Sequence, residues 1–175
     1  MIKAFSPEEF PLIDRALEIS EDASCNYYHI SASNWKKYGF EISHLAQLRR
    51  EEITDQGLAQ ISRYIRHPAC LLPGDYPRDY YRVCLQDHNI LQVVKREKGV
   101  ELLPLMIYIL THELVHIIRF RKFQQRFDVS PEEKDVEERK VHQATFQILK
   151  GIKRSNLEPV LDSYLGHRCC PIAIC

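Results

Sequence analysis

The sequence predicts an α+β protein, mainly helical, folded as one domain over residues 1–175, with a small β hairpin just before its central helix. Three observations predict it. Two Ser-Pro-Glu-Glu runs, at residues 6–9 and 130–133, have the form of helix starts: Ser as cap, Pro in the first turn, Glu closing a capping box. An apolar run from about residue 101 to residue 118 has no Gly and only an early Pro, so it forms a buried helix. Between these helices lie short β-type runs rich in Val, Ile and Tyr.

In chain order, the helix after Ser6 carries Phe10, Leu12, Ile13, Ala16, Leu17 and Ile19. Residues 27–42 mix Tyr28, Ile30, Trp35, Tyr38 and Phe40 with polar residues and are expected as strand and loop. Residues 54–65 are expected as a helix, with Thr54 as cap and Leu58, Ile61 and Ile65 as its stripe; Gly57 weakens it. Residues 67–77 hold Pro68, Pro73, Gly74 and Pro77 and form a loop within the single domain. Residues 80–85 and 90–95 are expected as a hairpin about Gln86-Asp87-His88-Asn89. The helix from Ser130 should run to about Lys150 and stop at Gly151. Phe120, Phe123 and Phe127 follow the apolar helix at spacings expected of core residues.

The apolar helix carries His112-Glu113-Leu114-Val115-His116. Two imidazoles four residues apart share one helix face, so both can reach one zinc ion at about 2.0–2.1 Å. Glu113 lies between them and cannot easily join the same coordination sphere. It can instead hold a water and take its proton, the general-base role. Uncharged neighbours on both sides strengthen the pattern, because His and Glu are costly to bury unless something satisfies them.

A catalytic zinc ordinarily has three protein ligands. On the 131–150 helix, Val141, Thr145, Ile148 and Ile152 define one face; Glu138 lies near its centre and His142 at its edge. Either Glu138 or His142, or both, can complete the site. Glu137, at the opposite edge, is expected as a solvated carboxylate.

His112-Glu113-Leu114-Val115-His116, with Glu138 22 positions after His116, resembles the minimal gluzincins among the HExxH metallopeptidases. The resemblance implies a zincin-like fold, a Zn2+ cofactor, Glu138 as third ligand and hydrolysis of a peptide bond in a peptide or protein substrate. Short bacterial metallopeptidases that cleave repressors or control stress responses are of this type. His142 departs from the acidic or small residue usual one turn after that Glu. The alternative is a non-catalytic metal-binding or regulatory protein with a closed site, which ligation by both Glu138 and His142 would favour. A di-iron protein fits less well: Glu113 and His116 form Glu-x-x-His, but Glu138 and His142 are four apart rather than three.

Composition narrows the partners. The chain has 24 basic and 24 acidic residues and a net charge of zero, so no nucleic-acid partner is expected. No unbroken run of about 18 apolar residues occurs, so no membrane span is expected. Residues 1–5 lack a signal-peptide core, and a cytoplasmic protein with reduced thiols is expected. Cys25, Cys70 and Cys84 are expected as buried thiols. Cys169, Cys170 and Cys175, with His167, crowd the end of the chain; a thiolate there has the chemistry to occupy a zinc site, although a frayed end is the simpler expectation. Candidates to hold an oxyanion opposite the metal are His67, His88, Tyr76, Tyr80 and Tyr81, each of which also suits an exposed turn or ordinary packing. Nothing in the pattern fixes an oligomeric state.

Overall fold

The structure, a computed structural model, describes residues 3–66, 78–152 and 156–166. Helix α1 spans Phe10–Tyr28 and a short helix α2 spans Ala32–Trp35. Strands β1 (Phe40–Ser43), β2 (Ala59–Arg66) and β3 (Arg78–Leu85) follow. Then come α3 (Asp87–Arg96), α4 (Leu102–Arg121), α5 (Pro131–Lys150) and α6 (Glu158–Gly166). The chain is mainly helical with a small three-stranded sheet, as expected.

Helix α4 is the axis of the core. Sixteen of its residues are buried, including every position from Pro104 to Ile118. It is covered on all sides by other elements. Helix α1 runs alongside it in the same direction: the Ser20 hydroxyl donates to the Ile107 carbonyl at 3.1 Å, and Lys122 reaches Tyr28 one end further on. Helix α5 lies antiparallel to it, pairing His142 with Tyr108 and Glu138 with His116. Helix α6 adds Val160, fully buried, and Tyr164, whose ring stacks on Tyr108 at 4.6 Å. By length and composition α4 is apolar enough to cross a membrane, although its apolar residues are broken by polar ones; here 83 % of that stretch is buried by the rest of the chain.

The sheet closes the remaining side. Its order is β1-β3-β2, with β1 parallel and β2 antiparallel to β3. Tyr81 on β3 stacks on Phe120 of α4 at 5.4 Å. Arg121, at the end of α4, donates to the carbonyls of Tyr38 and Asp79 and lies over the Tyr81 ring. The approach is close at Gly39, where φ is +39° and a Cβ would stand 3.3 Å from both Arg121 and Tyr80.

Several expected elements are corrected. Residues 54–65 are not a helix. Thr54 closes a local turn on the Gln56 amide, Gly57 has φ +79°, and the chain enters β2. The stripe Leu58, Ile61, Ile65 does not describe one buried face, since Ile65 is 61 % exposed. The expected hairpin is replaced by β3 followed directly by α3. β3 pairs instead with β2, from Ala59 opposite Leu85 to Arg66 opposite Arg78. Asp87 at the start of α3 explains the switch: its buried carboxylate accepts the backbone amides of Phe5 and Leu45, each at 3.0 Å, and its charge suits a helix N-terminus. Within residues 27–42, helix α1 continues to Tyr28 and only Phe40–Ser43 form a strand.

Helix starts are nearer to expectation. Helix α5 begins with the capping box: the Ser130 hydroxyl accepts from the Glu133 amide and the Glu133 carboxylate accepts from the Ser130 amide. Helix α1 begins three residues after the expected place, at Phe10, because Pro11 is tolerated in a first turn but not in a helix interior. Helix α6 was not anticipated by the pattern of residues 158–166.

Candidate metal centre

His112 and His116 project from consecutive turns of α4, and Glu138 faces them from α5. Their donor atoms converge. The two Nε2 atoms are 3.1 Å apart. Glu138 Oε2 lies 3.3 Å from His112 Nε2, and Oε1 lies 3.1 Å from His116 Nε2. Donors set tetrahedrally at about 2.0–2.1 Å from one ion stand about 3.3–3.4 Å from each other, so these separations are close to the edges of such a site. Two imidazole nitrogens facing each other across 3.1 Å need a proton or a cation between them. Among the described residues, these three form the group able to hold a metal ion.

Burial sets the electrostatics. His112, Glu113 and His116 have no exposed surface, and the Glu138 side chain is 18 % exposed. Burial pulls the His112 pKa down to about 3, against the attraction of Glu138. At His116 burial acts the same way, but bonding to Glu138 and its charge outweigh it, and the net shift is upward. Burial alone would raise Glu138; the two imidazoles reverse this and hold it below the usual carboxylate range. An imidazole that stays neutral beside a carboxylate that stays charged is the donor set a divalent zinc-like ion takes.

Glu113 is placed differently. It is fully buried, and neither of its carboxylate oxygens has a hydrogen-bond partner. Burial pushes its pKa up to about 8, with Glu138 adding to the rise and His116 opposing it.

His142 sits beside the trio rather than within it. Its ring lies 4.5 Å from the His112 ring, and its Nδ1 is 2.7 Å from the Tyr108 hydroxyl. Burial lowers its pKa. Glu137, expected to be solvated, is 12 % exposed and paired with Arg119 and Lys140. Those cations hold it below its ordinary pKa despite burial, which acts to raise it.

Two of the oxyanion candidates, Tyr80 and Tyr81, are engaged elsewhere. His88 is buried on the first turn of α3 with neither ring nitrogen hydrogen-bonded, its Nε2 3.6 Å from the Asp55 carboxylate. The Tyr80 hydroxyl lies 3.5 Å from Glu41, and that of Tyr81 lies 3.5 Å from Asp79. His67 and Tyr76 lie outside the described residues, as do Cys70, His167, Cys169, Cys170 and Cys175. Cys84 is buried as expected, whereas Cys25 is only half-buried. Phe123, expected in the core, is 96 % exposed; Phe120 is buried and Phe127 packs against it at 5.3 Å.

Two neighbours of the site were missed, one bonded to His142 and one to His116. Tyr108 stands one turn before His112, so helical spacing alone could have found it. Gln125 Oε1 lies 3.2 Å from His116 Nδ1, and no periodicity marks it, because it follows the end of α4. No protein-family model, curated protein or solved structure matches the chain, so the geometry of this site stands as the basis for its function.

Proposed function

We propose that the chain is a zinc-dependent, zincin-like metallopeptidase, with His112, His116 and Glu138 as metal ligands and Glu113 as general base. The observation that carries this is the pairing of two features: three donors converging from two helices, and a buried carboxyl next to them that no protein group satisfies. A structural ion pair would account for the first feature but leaves the second unexplained.

Zinc bound there supplies Lewis acidity, polarising a carbonyl and lowering the pKa of a water. The chain's own residues do the rest. His112 and His116 are held rigidly by a helix buried along both imidazoles, so the donors cost little to order. Glu138 contributes the negative charge that a divalent cation needs. Glu113 takes a proton from the attacking water and returns it to the leaving amine. His142, bonded to Tyr108, lies with its ring 4.5 Å from that of His112.

One observation favours a second possibility, a metal-binding protein that does not hydrolyse. Glu113 and both imidazoles have no exposed surface, so a polypeptide reaches them only if the site opens. Glu113→Gln separates the two. Gln keeps the size and a hydrogen-bonding end but cannot accept the proton. The expected outcome is unchanged zinc content and peptide hydrolysis reduced by roughly 10²–10⁴-fold, measured on a quenched peptide library. Hydrolysis at the wild-type rate would remove Glu113 as base. Zinc binding with no hydrolysis by the wild type would favour the non-catalytic protein.

A further inference from the structure

We propose that Gln125 is a positioning residue that fixes the tautomer of His116 so that its Nε2 lone pair faces Glu138 and His112. The proposal rests on the trio being a metal site.

The local chain is built to deliver this one side chain. After Arg121 the helix is closed by the amides of Lys122 and Phe123, which donate to the carbonyls of Ile118 and Phe120. Phe123 then adopts φ +53°, and the Gln124 amide donates back to the Arg119 carbonyl at 2.9 Å. A left-handed backbone costs a non-glycine residue about 1–2 kcal/mol, and here it is adopted by a phenylalanine whose ring is left in solvent. The turn drives the chain back under α4. Gln124 and Arg126 remain exposed, while Gln125 between them is 7 % exposed.

A carboxamide is costly to bury without a partner. The partner is His116 Nδ1, 3.2 Å from Gln125 Oε1. A carbonyl oxygen only accepts, so Nδ1 must donate. A neutral imidazole carries one N–H, and with that proton on Nδ1 the Nε2 is left as a lone pair. That nitrogen is the one 3.1 Å from Glu138 and 3.1 Å from His112 Nε2. His112 has no equivalent support, since its Nδ1 is buried with no hydrogen-bond partner. The two imidazoles are therefore unequal, one oriented by the chain and the other by its neighbours in the trio.

The test compares Gln125→Glu, which keeps an acceptor oxygen, with Gln125→Leu, which keeps bulk and loses it. In metal-free wild type a proton lies between His116 Nε2 and its neighbours Glu138 and His112, so the informative atom is Nδ1, and nitrogen NMR is expected to show Nδ1 protonated. Zinc affinity should fall about 10–100-fold in Gln125→Leu and stay within a few-fold of wild type in Gln125→Glu. A His116 Nδ1 without a proton in wild type would overturn the proposal, as would wild-type zinc affinity in a folded Gln125→Leu protein. If Gln125→Leu does not fold, the wild-type tautomer and the Gln125→Glu affinity still decide it. If wild type binds no zinc, the metal site fails, while the tautomer measurement, made without metal, still decides what Gln125 does.

Discussion

At Glu113 the chain keeps a carboxyl group fully buried with neither oxygen bonded to protein. Such a group is a cost in the free protein, about 1–3 kcal/mol for the unmet desolvation of a polar group. Packing alone would have placed Met or Leu there. Glu113→Met is therefore expected to raise the stability of metal-free protein by about 1–3 kcal/mol in urea unfolding, and to abolish hydrolysis. A Glu113→Met protein less stable than wild type would mean that the carboxyl has a structural partner. His112, Glu113 and His116 were legible because helical spacing fixes which side chains share a face. Glu138 was legible for the same reason on a second helix. Gln125 was not, since its position depends on the left-handed backbone at Phe123, which no residue preference for Phe would suggest. The same turn explains why Phe123 lies in solvent rather than in the core.

Among the elements, long helices with capping signals were legible and the sheet was not. Helices α4 and α5 carry their own hydrogen bonds and their own caps, so the information sits within each segment. A strand takes its partners from elsewhere. The segment from Leu58 has a spacing of Leu58, Ile61 and Ile65 that suits a helix, and from Ala59 it becomes strand β2 because β3 supplies the ladder, from Leu85 back to Arg78. Residues 90–95 include two valines that suit a strand, yet they form α3 because Asp87 anchors the helix start. The outer face of the sheet is tied by a polar network that crosses all three strands. Arg82 on β3 pairs with Glu41 on β1 and reaches Glu52 at 3.4 Å, and Tyr64 on β2 donates to Glu52 at 2.5 Å. Burial acts to raise the Glu52 pKa, but the bonds from Tyr64 and the Arg49 amide, with Arg82, bring it below its ordinary 4.5. A carboxylate lowered on folding stabilises the protein above its unfolded pKa, and that contribution is lost as the pH falls through the folded value. Glu52→Gln is accordingly expected to cost about 1.5–3 kcal/mol at pH 7, with the gap from wild type narrowing below pH 4.5 in urea titrations. A gap that is independent of pH would show that the charge of Glu52 contributes nothing.

For the whole molecule, one core explains the arrangement. α4 lies at the centre, and α1, α5, α6 and the sheet each bury an apolar face against it. That central position makes the helix apolar enough to resemble a membrane span while protein covers it. It also places the candidate site between two helices in a largely buried interior, which strengthens the charge interactions there. The central claim is that His112, His116 and Glu138 hold one divalent ion. The most direct measurement is zinc per chain, determined by elemental analysis on wild type and on His112→Ala, His116→Ala, Glu138→Ala and His142→Ala. The account predicts about one zinc in wild type, severe loss in the first three variants and a smaller loss in His142→Ala, whose ring contacts His112 and whose Nδ1 is held by Tyr108. Undiminished zinc in His112→Ala and His116→Ala, or a greater loss in His142→Ala than in Glu138→Ala, would contradict it.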